Sequence, residues 1–216
     1  MPTALIIGDS HVDKSAMASE IRKQLEQVGW KVTVAGVGST SAGSWKGNSV
    51  CRVGEKKCLQ RDTLPKGVDL LIVSLGTNDL ANAAAAKANF QKRADQCIDR
   101  VTSLKDDFQA KKLFWIGPPW MGNKMKWYRN EYLAPLYDQA KIRGIEIFDS
   151  RPVTKPLVEG GSGDGVHLGA KGQRAWASEV VKKIRSSTST NVNKIIIGTS
   201  IAAVAVLTTV IILARK

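Results

Sequence analysis

Gly8-Asp9-Ser10, Gly38, Gly76-Thr77-Asn78-Asp79 and Asp164-Gly165-Val166-His167 hold the residue types that acyl transfer requires. A serine hydroxyl is a weak nucleophile until an imidazole takes its proton, and the imidazole needs a carboxylate to fix its tautomer. Ser10 supplies the hydroxyl. The chain has two histidines, His11 and His167. Asp164 lies three residues before His167 and can reach back to the ring across a turn. His11 lacks an aspartate at suitable spacing. An oxyanion forming on Ser10 would need donors, and the candidates are the backbone N–H groups of Ser10 and Gly38 and the side-chain amide of Asn78. Singly, each motif has a plainer reading: Asp9-Ser10 as a turn and helix cap, Asn78-Asp79 as a cap, His167 as a loop histidine. Occurring together in this order, they favour chemistry, with Asp79 structural rather than catalytic.

The elements that must position these residues alternate in type. Leu5-Ile6-Ile7 predicts a buried strand and residues 13–28 a helix with Ala16, Ile21, Leu25 and Val28 inward, stopped by Gly29. Val32 to Ala35, Val68 to Leu75, Leu113 to Gly117 and Ile145 to Phe148 predict four further strands, the second of them apolar throughout, as a parallel strand covered on both faces should be. Helices are predicted over 81–110, 128–143 and 170–184, and a loop-rich insertion over 45–66. The pattern is that of a three-layer α/β/α sandwich with a central parallel sheet of about five strands. Ligands bind such sheets outside the carboxyl ends of the strands. Ser10 follows the first strand, Gly38 the second and Asn78 the third, while Asp164 and His167 follow the fifth. Ser10 is also expected near the N-terminus of the first helix, among its free N–H groups.

These blocks resemble the SGNH hydrolases, the GDSL esterase/lipase family, over residues from about 3 to 185. Gly8-Asp9-Ser10 is similar to the family's nucleophile block, with His11 where leucine is usual. The stretch from Ala35 to Gly43 resembles the glycine block with one residue deleted, and Gly38 matches the oxyanion glycine. Gly76-Thr77-Asn78-Asp79 and Asp164-Gly165-Val166-His167-Leu168 match the remaining blocks. The resemblance implies a flavodoxin-like SGNH fold and a serine esterase that needs neither metal nor cofactor. Gly36, Gly38 and Gly43 do not form a dinucleotide loop, because their spacing is wrong and they follow the second strand.

Trp120 lies just after the fourth strand, where it would border the site and stack on a sugar or pack on an acyl chain; Trp127 is a second candidate, and Trp115 reads as core. His11 either lines the entrance as a substrate contact or sits exposed. The net charge of +13 favours anionic partners. No zinc spacing, recognition-helix signature or Gly-rich aromatic strand motif accompanies it, so nucleic acid is not expected as a partner. Cys51 and Cys58 bracket a basic loop and either pair or remain free; Cys97 reads as a small core residue.

Residues 195–213 carry no charge and, as a helix, would extend roughly 28 Å, close to a bilayer's hydrocarbon thickness. The organisation expected is a hydrolase domain over 1–185, a polar linker over 186–193 and a transmembrane anchor over 194–216. Such a span implies a tail anchor with the domain on the cytoplasmic side, and the excess of Lys182, Lys183, Arg185 and Lys194 over Arg215 and Lys216 agrees with that; a viral membrane is the alternative home. The function expected is hydrolysis of carboxylic esters through an acyl-enzyme, with O-acetyl esters of a cell-wall or surface polysaccharide preferred. The alternatives are a lysophospholipase or thioesterase beside the bilayer and, in another class, a membrane-anchored binding or virion structural protein.

Overall fold

The computed structural model describes residues 1–52, 54, 58–80, 89–122, 130–161 and 163–187. Chain contacts divide it into two units, Met1–Val181 and Lys182–Lys216. In the second unit residues 182–187 are helical. The predicted membrane span at 195–213 lies outside the described residues, among which no helix is long and apolar enough to cross a membrane.

The first unit is built on a five-stranded parallel sheet whose strands lie side by side in the order Lys31–Gly36, Thr3–Gly8, Leu70–Ser74, Lys112–Ile116 and Ile147–Phe148. Its strands are β1 (Thr3–Gly8), β2 (Lys31–Gly36), β5 (Leu70–Ser74), β6 (Lys112–Ile116) and β7 (Ile147–Phe148). Between β2 and β5 the insertion forms a small antiparallel pair, β3 (Ser49–Val50) and β4 (Leu59–Gln60). Among the described residues the helices include α1 (Ala16–Glu26), α2 (Phe90–Asp107), α3 (Ala134–Ile142) and α4 (Arg151–Glu159), with residues 77–80 also helical and a further helix beginning at residue 170.

Side chains alternate across the sheet with period two. Leu5, Ile7, Leu71, Val73 and Trp115 therefore share one core with Cys97, Ile98, Val101 and Leu104 of α2 and Leu136 and Ala140 of α3. Ala4, Ile6 and Ile72 turn to the opposite face and are equally buried, as are Met17, Ile21 and Leu25 of α1. Trp115 is fully buried, and its indole N–H donates to the Leu75 carbonyl 3.0 Å away. Truncation to alanine there would cost about 3–5 kcal/mol.

Three elements differ from expectation. The first helix ends at Glu26, leaving Val28 half exposed, because Gln27 and Gly29 close the helix with backbone bonds one turn back. Of the helix predicted over 81–110, the described part starts at Phe90, where Asn89 accepts from the Lys92 N–H; residues 77–80 are also helical, and 81–88 lie outside the described residues. Helix α4 lies where no helix is predicted; Pro152 occupies its first turn, where its absent N–H costs nothing.

Candidate active site

β1 and β5 are neighbours while β2 lies on the far side of β1, so the loops after β1 and β5 diverge at a switch point and leave a crevice there. Ser10 sits on the turn leaving β1. That turn is tight, since the Val12 and Asp13 N–H groups both donate to the Asp9 carbonyl at 2.9 Å. Gly36 lets the end of β2 press against it; a Cβ there would lie 2.3 Å from the Asp13 nitrogen.

His167 Nε2 lies 2.9 Å from Ser10 Oγ, and His167 Nδ1 lies 3.0 Å from Asp164 Oδ2. The other carboxylate oxygen, Oδ1, accepts the Val166 and His167 backbone N–H groups at 2.8 and 2.7 Å. Asp164 therefore fixes both the ring and the turn that carries it. Its pKa is about 2: partial burial opposes ionisation, but the His167 side chain and the two backbone donors outweigh it. Gly163, at φ +86°, permits the turn, because a Cβ there would collide with the His167 carbonyl. The loop after β6 is tied in through the Gly122 N–H, which donates to the Gly165 carbonyl at 2.7 Å.

The expected oxyanion donors lie on the other wall. Asn78 Nδ2 donates to the Thr40 carbonyl at 2.9 Å and approaches Asp9 Oδ2 at 3.4 Å. The Gly38 N–H donates to Asp13 Oδ2 at 3.2 Å. The Ser10 N–H donates to no other described residue. Asp79 has the structural place expected of it: both its oxygens accept the Ala42 N–H, at 3.0 and 3.1 Å, which holds the loop that follows Gly38.

Two expectations need correction. Helix α1 starts at Ala16, not beside Ser10, and its first N–H groups are taken by Ser15 Oγ and Gln173 Oε1. The helix terminus is therefore not a source of donors for an oxyanion. His11, expected as a substrate contact or an exposed residue, is only 6% exposed. Its ring lies 5.4 Å from the His167 ring and 5.6 Å from Trp176, and its Nε2 has no hydrogen-bond partner among the described residues. Burial first, and then the neighbouring His167, lower its pKa to about 3, so it is a neutral ring packed beneath the relay.

Asp9 is fully buried below the opposite wall, with Oδ1 accepting the His11 N–H at 2.9 Å. Burial pushes its carboxyl up to about 7, the nearby Asp79 adding to the rise. Sequence reasoning assigned no role to Asp9, Asp13 or Gln173. Asp9 was visible in the nucleophile block, but Asp13 and Gln173 act across the fold and left no local signal.

Trp120 lines a cavity of about 520 Å³ with Met121, Gly122, Val158, Glu159 and glycines of the His167 turn, and Lys155 Nζ lies 4.8 Å over its ring. Trp127 lies outside the described residues. Cys51 and Cys58 form a disulfide, and Cys97 is buried and free. Among the described residues no group of three or more His, Cys, Asp or Glu side chains is placed to hold a metal ion.

Residues 6–175 match the profile of the GDSL-like lipase/acylhydrolase family. The fold matches an acetyl xylan esterase, AlAXEase, with a TM-score of 0.61 and 17% identity over 84% of this chain and 99% of that one. It matches the acetylxylan esterase Axe2 of Geobacillus stearothermophilus at 0.58 and 14% identity, over 85% of this chain and 94% of that one. An aryl esterase of M. smegmatis, in its inhibitor-bound form, matches at 0.58 and 15% identity, over 86% and 99% of the two chains. No protein of curated function matches by sequence.

Proposed function

The chain belongs to the GDSL-like lipase/acylhydrolase family and is an ester-hydrolysing serine hydrolase, and on that premise we propose that Ser10, His167 and Asp164 are its catalytic residues. The observation that carries the reading is the unbroken relay from Ser10 Oγ to His167 Nε2 and from His167 Nδ1 to Asp164 Oδ2. Ser10 Oγ attacks the ester carbonyl as its proton passes to His167 Nε2, and Asp164 stabilises the imidazolium through Nδ1–H. The N–H groups of Ser10 and Gly38 and the Asn78 amide receive the oxyanion. Collapse returns the proton from His167 to the departing alcohol, and a water activated by the same nitrogen releases the acyl group.

For the substrate we propose O-acetyl esters on an anionic glycan. The net charge of +13 supports an anionic polymer. The two acetylxylan esterases of like fold support an acetyl ester. Trp120, half-buried beside the His167 turn, is the proposed sugar platform.

We further propose that residues 1–185, 186–193 and 194–216 act as catalytic domain, linker and membrane anchor, on the strength of the uncharged run at 195–213. The charge flanking that run favours a cytoplasmic domain. The Cys51–Cys58 disulfide favours an oxidising face instead. Protease applied to intact cells separates the two: protection supports the cytoplasmic side, cleavage the other.

The activity test compares p-nitrophenyl acetate with longer-chain p-nitrophenyl esters, using the full chain and Ser10→Ala. Ser10-dependent turnover that is greatest on the acetyl ester is expected. A preference for long chains would transfer the reading to a lysophospholipase or thioesterase, and no Ser10-dependent turnover on any ester would remove these catalytic assignments.

A further inference from the structure

Beside Asn78 lies a polar cavity of about 330 Å³. Its lining is Ser41, Asn78, Asp79, Arg93, Gln96 and Arg100. The last three stand at i, i+3 and i+7 on α2 and so share one helix face. Both arginines are half-buried, and neither forms an ion pair among the described residues. Arg61, Arg143 and Arg151 differ in this respect, pairing with Asp107, Asp99 and Asp149 at 2.9, 2.6 and 2.7 Å.

The local shape also makes room for a guanidinium. Gly43 lies under Arg100, and a Cβ there would come within 2.6 Å of Nη1. The one carboxylate in the lining, Asp79, already accepts the Ala42 N–H through both oxygens. Burial raises its pKa while the Arg100 charge opposes the rise, so this single carboxylate faces two guanidinium groups in the lining.

We propose that this cavity is an anion subsite in which Arg93 and Arg100 hold a carboxylate carried by the sugar of the ester substrate. A planar guanidinium donates two parallel N–H···O bonds to a carboxylate, a geometry lysine cannot reproduce. The subsite adjoins Asn78, so a uronic acid bound there would set its esterified hydroxyl group relative to Ser10. The inference rests on the assignment of Asn78 to the oxyanion site and extends it to the identity of the sugar.

The test measures kcat/KM of the full chain on acetylated oligogalacturonate and on acetylated xylooligosaccharide, which lacks the carboxylates. The wild type should prefer the acidic substrate, and the ratio should fall at least about tenfold in Arg93→Gln/Arg100→Gln, the scale of one charge-assisted contact. The ratio cancels any loss of intrinsic activity in the variant. Arg93→Lys/Arg100→Lys should recover only part of it; full recovery would reduce the effect to general charge attraction and overturn the subsite. An unchanged ratio would overturn it as well.

A second measurement needs no turnover. Calorimetric binding of unacetylated oligogalacturonate to Ser10→Ala should weaken at least about tenfold when both arginines become glutamine. If no ester is turned over but this binding difference persists, the catalytic reading fails and the subsite stands. If esters are turned over without any binding difference, the reverse holds.

Discussion

The two walls of the crevice are in different states of readiness. On the relay wall, Ser10, His167 and Asp164 already make the contacts that the proposed proton transfer would use, at 2.9 and 3.0 Å. On the donor wall, Gly38 and Asn78 direct N–H groups to the protein's own acceptors, Asp13 and Thr40. The relay depends largely on one four-residue turn that its own aspartate ties together, so it forms wherever that turn forms. The donor wall is assembled from loops after three strands, and two of its three donors, Gly38 and Asn78, are satisfied by the protein's own oxygens, as buried polar groups tend to be. Proton transfer should therefore be sensitive to single atoms of the turn, while oxyanion binding should behave as an exchange of partners.

Asp164→Asn tests the relay wall and should have the larger effect. The amide still fits the turn but cannot stabilise an imidazolium and favours the wrong tautomer, so kcat should fall by about 10⁴-fold. With its pKa at about 2, Asp164 remains ionised throughout the working range, so its protonation cannot produce an acid limb in the rate profile above about pH 3. A loss below tenfold would show that the turn alone orients His167. On the donor wall, Asn78→Ala should lower kcat by about 10²–10³-fold with KM little changed, as expected for a donor used mainly in the transition state. A rise in KM at constant kcat would instead make Asn78 a ground-state contact.

Beneath the walls the contrast is electrostatic. Under the relay lies a neutral imidazole, His11, its pKa lowered from 6.5 to about 3; under the donors lies a carboxyl, Asp9, raised from 3.8 to about 7. Between pH 3 and 6.5 the unfolded chain binds a proton at His11 that the folded chain refuses, so this group makes stability rise with pH. Between pH 3.8 and 7 the folded chain keeps a proton on Asp9 that the unfolded chain releases, so this group makes stability fall with pH. Each slope is about 1.4 kcal/mol per pH unit, and over the shared window they oppose and nearly cancel. Denaturation from pH 4 to 8 should show Asp9→Asn gaining stability as pH rises through the window and His11→Gln losing it. Parallel curves for both variants and the wild type would contradict the burial assigned to these two groups.

The relay was legible in the sequence because its logic is local: Asp164 and His167 share a turn, and Ser10 ends an apolar strand. The five parallel strands were legible for a similar reason, as short apolar runs between helical periods, with boundaries that moved by one or two residues. His11 was misjudged because its burial comes from Trp176 and His167, more than 150 residues away in the chain. The helix terminus expected behind Ser10 was misplaced for the same physical reason. Gln173, which takes two N–H groups of α1, is brought there by the approach of the last helix to the start of α1.

Asp13 gives the finest test of the difference between the walls, and its effect should be the smallest. Its carboxylate sits three residues after Ser10 and holds the Gly38 N–H at 3.2 Å, an approach made possible by Gly36. A neutral ester carbonyl is a weaker acceptor than a carboxylate, so the ground-state complex leaves this bond in place. Only the charge that develops on the carbonyl oxygen can draw the N–H away, and the exchange costs part of the stabilisation Gly38 would otherwise supply. Asp13→Ala removes the competitor but not the Asp13 N–H that closes the turn onto Asp9. If Gly38 is an oxyanion donor, kcat on p-nitrophenyl acetate should rise about three- to tenfold, the worth of one net hydrogen bond. If activity instead falls while the melting temperature is unchanged, Asp13 serves to shape the loop from Val37 to Ser41. The oxyanion would then rest on Ser10 and Asn78, and the deletion in the glycine block would have removed the third donor.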